Sequence, residues 1–266
     1  MILNYISWNV DPEIFHIGSL SVRWYGILFA AAFVFGYFIM LRIFRKEGVS
    51  QELLDKLSIY MGVATVAGAR LGHCLFYQPD YYFHYPLEIL MIWKGGLASH
   101  GAALGILFAL WIFSRKAHKS YWWTLDRIVI VVALSGFFIR TGNLMNSEIF
   151  GKPADLAWAF VFFRDNLVPR HPTQIYEAVS YLLLFFFLYN AYFRKNYGEK
   201  SGLLFGIFMI VLWTMRFFIE FLKETQEPFE NNLFLNMGQL LSIPLIIAGI
   251  VILYLSHKGK LSSTKN

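Results

Sequence analysis

A short polar stretch at the end of an apolar segment carries side chains that could bind an anion. Residues 139–151 read IRTGNLMNSEIFG and follow the apolar run RIVIVVALSGFF. The guanidinium group of Arg140 is a planar fork of N–H donors that matches the oxygens of a phosphate. Asn143, Asn146 and Glu148 add hydrogen-bonding groups that could orient a polar ligand. Because an arginine inside an apolar segment is costly, it must face a polar cavity or a partner.

The composition of the chain predicts a membrane protein. Of 266 residues, 57% are hydrophobic and 19% are aromatic, whereas only 15% are charged, and the mean hydropathy is +0.51. Repeated apolar runs reach the roughly 20 residues that a helix needs to cross a bilayer. The alternating pattern of a membrane β-barrel is missing. The sequence therefore predicts an all-α integral membrane protein.

The apolar runs predict seven transmembrane helices in one polytopic membrane domain, 1–266. The spans are expected at about 23–43, 54–77, 87–113, 126–145, 174–193, 202–222 and 236–256. Lysines and arginines follow every second span, and the positive-inside rule makes these connections cytoplasmic. The N-terminus is then outside and the C-terminus cytoplasmic. Residues 1–20 are expected to form a periplasmic interfacial arm, and about 146–173 an outer loop region after the fourth helix.

The same charge pattern limits the possible partners. The net charge of +6 arises mostly from the basic cytoplasmic connections, so it does not indicate nucleic-acid binding. Cys74 is the single cysteine and has no partner for a disulfide or a thiolate metal site. No metal is predicted.

With this topology, the polar residues in and beside the spans converge on the outer half of the membrane. They are Tyr25, Arg70, His100, Arg140, Asn143, His171, Gln174, Glu177, Arg216 and Glu220. Three arginines among them exceed the two glutamates that could neutralise them, so an anionic ligand is the natural complement. Gly95-Gly96 could interrupt the third span, and Ser99 could cap a second half whose N-terminus would also favour an anion. An anion in the outer leaflet suggests a phospholipid headgroup.

Several of these residues have simpler structural explanations when each is considered alone. Arg216 and Glu220 are four residues apart on one helical face and could neutralise each other. The side chain of Arg70 could reach lipid headgroups, and Tyr25 fits an interfacial aromatic belt. His100 could be a packing histidine. The convergence of all these residues favours a site more than any single residue does.

The polar stretch resembles the signature of a known family. The pattern Arg140-x-Gly142-Asn143-x-x-Asn146-x-Glu148-x-x-Gly151 is similar to that of the bacterial phosphatidylglycerol:prolipoprotein diacylglyceryl transferases. Other blocks resemble the family in the family's order: VRWYG (22–26), GARLG (68–72), GGL (95–97), SHG (99–101), RHPTQIYE (170–177), RFFIEF (216–221) and MGQL (237–240). The resemblance covers nearly the whole chain.

This resemblance implies an enzyme that transfers the diacylglyceryl group of phosphatidylglycerol to the lipobox cysteine of a prolipoprotein signal peptide. The reaction forms a thioether and releases glycerol phosphate, and no cofactor is implied. The residues that the resemblance assigns to catalysis are His100, Arg140 and Arg216. Those assigned to substrate binding are Tyr25, Arg70, Asn143, Asn146, Glu148, Gly151 and Glu220. The implied location is the bacterial cytoplasmic (inner) membrane, where the membrane lipid supplies the donor.

The sequence departs from the family pattern at three positions. Ile139 and Ala102 replace glycines that are common in the family, and neither change removes a polar group. Leu212 stands four residues before Arg216, where many members carry a tyrosine. A phenolic role at that position, and with it the identity of the general base, therefore stays open.

Two other function classes could also place arginines in a membrane. A transporter or anion channel would distribute polar groups toward both faces and show repeat symmetry, whereas these groups cluster on one side. A lipid-binding membrane protein would need the arginines but not His100. Replacing His100 while measuring lipid binding and turnover separates an enzyme from a binder.

Overall fold

The computed structural model describes residues 5–18, 20–224 and 234–261, and helices dominate it. The helices are α1 (Trp24–Lys46), α2 (Gln51–Phe76), α3 (Pro79–His84), α4 (Ser99–Lys116), α5 (Tyr121–Met145), α6 (Thr173–Lys195), α7 (Leu203–Ile219) and α8 (Met237–His257). Within the described ranges, six helices are long and apolar enough to cross a membrane: α1, α2, α5, α6, α7 with the turn that follows it, and α8. The prediction of a helical integral membrane protein is confirmed.

Five short strands accompany the helices. They are β1 (Ile6–Trp8), β2 (Glu13–Ile17), β3 (Leu20–Arg23), β4 (Phe160–Phe162) and β5 (Pro169–Arg170). The strands β2 and β3 form an antiparallel hairpin that begins in the predicted N-terminal arm and ends at Arg23, immediately before α1. Residues 1–4 and 19 of that arm lie outside the described residues.

The chain divides into two compact units. One contains residues 1–39 and 126–266, and the other contains residues 40–125. The boundaries fall within α1 and α5.

In the unit formed by residues 40–125, α2 and α4 pack through glycines. A methyl group at Gly68 would lie 2.5 Å from the carbonyl oxygen of Gly101, and one at Gly72 would lie 2.6 Å from the Gly101 Cα. A methyl group at Gly105 would meet the Ala64 carbonyl oxygen at 2.7 Å. The two backbones can approach this closely only because these positions carry no side chain.

The third predicted span, 87–113, differs from the structure. Two 3₁₀ turns occupy Pro86–Leu90 and Ile92–Lys94, and α4 begins only at Ser99. Gly95 and Gly96 have φ angles of 82° and 72°, which lie in the left-handed region and end the helical path. Ser99 is therefore the first residue of the helix, so the prediction that it caps α4 was wrong. Ala98 is the capping residue and has no side-chain capping bond.

In the other unit, α5 ends at Met145, where the predicted fourth span also ends. The segment that follows pairs with the N-terminal residues in a sheet of order β1-β4-β5, with β1 parallel to β4 and β4 antiparallel to β5. Leu144, Phe160 and Phe162 form the buried core of this region, and Trp8 packs against it. The Trp8 indole N–H donates to the Leu144 carbonyl oxygen at 3.0 Å, which anchors the sheet to the end of α5.

A buried carboxylate holds the start of α7. Asp126 is fully buried and accepts hydrogen bonds from the backbone N–H groups of Gly202 at 2.7 Å and Phe205 at 2.9 Å. These N–H groups have no helical acceptor of their own, so Asp126 stabilises the first turn from a distant helix. This bond orients the helix that carries Arg216.

Candidate functional site

A chain of alternating charges connects α5, α6 and the end of α7. Glu177 lies at its centre, with Oε2 2.8 Å from Arg140 Nε and Oε1 2.9 Å from Lys223 Nζ. Lys223 Nζ also lies 3.4 Å from Oε2 of Glu220. Glu220 in turn lies 4.0 Å from Nε of Arg216. We call these five side chains the charge chain.

Burial differs sharply along the charge chain. The side chains of Glu177 and Lys223 are 0% and 2% exposed, whereas those of Arg140 and Arg216 are 14% and 28% exposed. A buried carboxylate or ammonium group is stable only if it is paired, so the central groups must neutralise one another. The two arginines are the members of the chain that a ligand can reach. Three cations and two carboxylates leave one surplus positive charge.

The polar stretch that ends α5 forms a local hydrogen-bond network. Arg140 Nη1 donates to Asn143 Oδ1 at 3.1 Å, and Asn143 Nδ2 donates to Glu148 Oε1 at 2.8 Å. Asn146 Nδ2 donates to the same carboxylate oxygen at 3.2 Å. Ser147 has a φ angle of 53°, which turns the chain back so that Glu148 faces the helix end. The predicted residues of this motif are therefore brought together.

Helix α6 holds the far side of this turn. Gln174 Nε2 donates to the Glu148 carbonyl oxygen at 2.7 Å, and Thr173 Oγ1 donates to the Ile149 carbonyl oxygen at 3.1 Å. Both side chains are fully buried. The start of α6 therefore fixes the backbone of the turn while Glu177, one turn later, holds Arg140.

Gly151 closes the motif where two segments leave no space for a side chain. A methyl group there would lie 2.5 Å from the Leu222 carbonyl oxygen and 2.6 Å from the His171 Cβ. The Gly151 N–H donates to the His171 carbonyl oxygen at 2.9 Å, and Gly151 forms an isolated bridge with Lys223. This contact brings the backbone of the motif beside the residue that links the two glutamates.

Tyr25 and Tyr181 also face this part of the protein. The ring of Tyr25 packs on Gly142, where a methyl group would lie 2.8 Å from its Cδ2. Tyr25 interacts electrostatically with Glu148 and Arg140. Tyr181 lies one turn after Glu177, is hydrogen-bonded with Arg140 and interacts electrostatically with Arg216. The phenol of Tyr181 therefore interacts with both arginines.

Arg170 secures the loop between α5 and α6. Its Nη1 donates to Glu224 Oε2 at 2.9 Å, and its guanidinium carbon lies 4.8 Å from the ring centre of Phe150. The neighbouring His171 is partly buried, and burial lowers the pKa of its imidazole.

Arg70 and His100 belong to the unit formed by residues 40–125. Arg70 is 2% exposed, and its guanidinium donates to the carbonyl oxygens of Ile89 at 3.0 Å, Gly95 at 2.5 Å and Glu88 at 2.6 Å. Its donors therefore hold the segment before α4, and direct contact with a substrate stays a prediction. His100 is the second residue of α4 and its side chain is exposed.

Sequence reasoning missed Lys223 and Tyr181 and underrated Glu177. Arg216, Glu220 and Lys223 are spaced i, i+4 and i+7, which places all three on one helical face. That spacing could have identified Lys223 as a partner of Glu220, but the predicted span ended one residue before Lys223. Tyr181 gave no comparable signal, because a tyrosine in an apolar helix is ordinary.

The described residues offer no group for a metal ion. Across 5–18, 20–224 and 234–261, no three His, Cys, Asp or Glu side chains are placed together as metal ligands. The site in this unit is instead a set of hydrogen-bond donors and one surplus positive charge, an arrangement suited to a phosphate.

Comparison with known proteins shows close similarity to one family. Residues 12–255 match the family described as prolipoprotein diacylglyceryl transferase. A phosphatidylglycerol–prolipoprotein diacylglyceryl transferase of Tolumonas auensis is 47% identical over 95% of this chain and 98% of its own. Proteins of the same name from Chloroherpeton thalassium and Bacteroides fragilis are 45% and 42% identical, each over 96% of both chains.

Proposed function

Because the chain belongs to the prolipoprotein diacylglyceryl transferase family, we propose that it transfers the diacylglyceryl group of phosphatidylglycerol to a prolipoprotein cysteine. The thiol sulfur forms a bond with the terminal glyceryl carbon, and the bond from that carbon to the phosphate oxygen breaks. The products are a thioether and glycerol phosphate. The acceptor is the lipobox cysteine that follows a membrane-anchored signal peptide.

The observation that carries this proposal is that Arg140 and Arg216 are partly exposed, whereas the glutamates they pair with, Glu177 and Glu220, are buried. Arg140 and Arg216 each pair with a glutamate, at 2.8 Å and 4.0 Å, and each retains accessible surface. The leaving group is a phosphate ester whose negative charge grows as the carbon–oxygen bond breaks. Fixed guanidinium groups stabilise that charge without reorganising, which lowers the barrier. The Glu177 and Glu220 carboxylates act as positioning groups for the arginines.

The motif that follows Arg140 supplies contacts for the polar headgroup. Asn143, Asn146 and Glu148 already share hydrogen bonds with one another, so their donors and acceptors are held in place before a ligand arrives. The glycerol hydroxyls of the donor lipid match such amide and carboxylate groups. Tyr25, packed on Gly142, lines the lipid side of this site.

His100 is the proposed acceptor of the thiol proton. An imidazole can take up a proton near neutral pH, and the thiolate that forms is the stronger nucleophile. The side chain is exposed at the start of α4, so a substrate can reach it. Arg70 supports the segment that precedes α4.

The membrane arrangement is part of the same proposal. We infer that α4 crosses the membrane in addition to the six helices named above, which gives seven spans in one domain. The N-terminus is then outside and the C-terminus is in the cytoplasm. Arg45 and Lys46 at the end of α1, and Arg115 and Lys116 at the end of α4, favour a cytoplasmic location for those ends. The inner membrane then presents phosphatidylglycerol from its outer leaflet, residues 1–20 form a periplasmic arm, and 146–173 form an outer loop region.

A direct assay tests this function. Purified protein in detergent is incubated with phosphatidylglycerol and a lipobox peptide, and mass spectrometry detects the diacylglyceryl-thioether peptide. The expected product requires the peptide thiol and is lost with a Cys→Ser peptide and with the Arg140→Ala variant. Binding of phosphatidylglycerol without any thioether product would overturn the transferase proposal and favour a lipid-binding protein.

A further inference from the structure

The charge chain contains one cation that a substrate cannot reach. Lys223 is 2% exposed, yet its ammonium group bridges both glutamates, at 2.9 Å from Glu177 and 3.4 Å from Glu220. Each of those glutamates holds a different arginine. Lys223 is therefore the member of the charge chain that contacts both glutamates.

We propose that Lys223 is a positioning residue that holds the two arginines in register for one phosphate group. This inference rests on the proposed function and extends it to a residue behind the binding surface. Because Lys223 neutralises part of the charge on both glutamates, each carboxylate attracts its arginine less strongly than it would without the lysine. The guanidinium groups therefore keep donors directed toward the ligand.

The charge balance supports the same role. With Lys223 in place, the five side chains carry one surplus positive charge, which attracts an anion. Without it, two arginines face two glutamates, and the surplus disappears. Each arginine would then be held by its own carboxylate, and a phosphate would compete with that carboxylate for the same donors.

The surrounding backbone keeps Lys223 in this position. The residue before it, Leu222, accepts a hydrogen bond from the Lys152 N–H at 2.8 Å, and Lys223 itself bridges to Gly151. The loop that carries the predicted motif is thus attached to the lysine that links the glutamates. A shift of the lysine would be transmitted to the motif as well as to the arginines.

The test compares Lys223→Met, Lys223→Arg and a matched control, Lys152→Met, whose exposed lysine lies between the bridged residues Gly151 and Pro153. Two quantities are measured: the affinity for phosphatidylglycerol by native mass spectrometry, and the kcat and KM of thioether formation. We expect Lys223→Met to weaken lipid affinity and raise KM by about tenfold or more, because a buried charge partner is lost, with a smaller change in kcat. Lys223→Arg should restore both values to within about threefold.

A second variant separates positioning from folding. Removing one partner of a buried ion pair destabilises a protein, whereas replacing both partners by neutral groups is often tolerated. The double variant Glu177→Gln/Lys223→Met restores one surplus positive charge, because two arginines then face one glutamate, but Arg140 has lost the carboxylate that positions it. If positioning matters beyond charge, this variant should melt at a higher temperature than Lys223→Met while its lipid affinity stays low. Recovery of both melting temperature and affinity in the double variant would contradict the positioning role.

The outcomes distinguish this inference from the proposed function. If the wild type forms the thioether and Lys223→Met binds lipid as the wild type does, the inference fails and the transferase stands. If the wild type forms no thioether but Lys223→Met has lost lipid affinity, the transferase fails and the positioning role stands. Failure of Lys223→Arg to restore affinity would also overturn the inference.

Discussion

Nε of Arg140 lies 2.8 Å from Oε2 of Glu177, and the Glu177 side chain has no exposed surface. This buried carboxylate forms an ion pair with the guanidinium group, whose Nη1 also donates to Asn143 Oδ1 at 3.1 Å. The arginine is therefore oriented on two sides before a ligand binds. We therefore expect activity to depend on the geometry of the Arg140 guanidinium group as well as on its charge.

The first expectation is that the Arg140→Lys variant loses most of its activity although the substitution keeps the positive charge. An ammonium group cannot hold Glu177 and Asn143 and donate to a phosphate in the same geometry. We expect kcat/KM to fall about 100-fold in the thioether assay. Arg164→Lys is the matched control, because Arg164 is 42% exposed and pairs with Asp11. Activity of Arg140→Lys within threefold of wild type would refute this expectation.

The second expectation concerns His100. If its imidazole takes the thiol proton, His100→Asn should lower kcat about 100-fold, the effect of removing a general base. Phosphatidylglycerol affinity should not change. His118→Asn is the control, because His118 is exposed and its φ of 52° is tolerated by asparagine. A fall in lipid affinity with kcat unchanged would make His100 a binding residue instead.

The third expectation concerns the closed turn at Gly151. A methyl group there would lie 2.5 Å from a backbone oxygen, so Gly151→Ala must displace the loop. We expect the unfolding free energy to fall by about 1–3 kcal/mol and thioether formation to fall with it. Gly62→Ala is the control, because a methyl group at Gly62 meets nothing within 4 Å. Equal melting temperatures for the two variants would argue against the packing described here.

The fourth expectation concerns Tyr181. Its phenol is hydrogen-bonded with Arg140 and interacts with Arg216, so Tyr181→Phe removes a group common to both arginines. We expect kcat/KM to fall about 10- to 100-fold, because one hydrogen bond to a charged group contributes about 1.5–3 kcal/mol. Tyr254→Phe, at an exposed position of α8, should show no change. No loss in Tyr181→Phe would mean that the glutamates alone orient the arginines.

The fifth expectation concerns pH. Burial lowers the pKa of His171, so the folded protein favours the neutral imidazole more than the unfolded chain does. The stability contributed by this group is present above the unfolded pKa and is lost as pH falls toward the folded pKa. The melting temperature of the wild type should therefore fall from pH 8 to about pH 5 more steeply than that of His171→Gln. Parallel pH curves would exclude His171 as the cause.

The sequence allowed the spanning helices to be located but not the segment before α4. Hydropathy alone marks α1, α5 and α8, because bilayer thickness sets their length. The segment 87–98 is also rich in apolar residues, yet Pro86 and the left-handed glycines at 95 and 96 divert it. Its 3₁₀ turns are held by the distant Arg70, and such a long-range contact leaves no periodic signal in the sequence.

The site was predictable as a set of residues but not as a connected structure. Arg140, Asn143, Asn146 and Glu148 lie close in sequence, and the structure joins them by hydrogen bonds. The link from Glu177 to Lys223 spans two helices, and its distance depends on tertiary packing. A lysine just after the last apolar residue of a span usually contacts lipid headgroups. For this reason the sequence did not indicate that Lys223 pairs with buried glutamates.

The glycine contact between α2 and α4 has a consequence for how this protein tolerates change. Gly68 and Gly72 on one helix, and Gly101 and Gly105 on the other, each recur at intervals of four and face a neighbouring backbone. A scan of all single substitutions would therefore show intolerance at these positions even to alanine, beside exposed positions such as Val63 and Leu104 that accept other apolar residues. If the scan is scored by the growth of cells that depend on this protein, the contact between the two helices would be visible without a structure. It would appear as two pairs of positions that tolerate no substitution, each pair four residues apart.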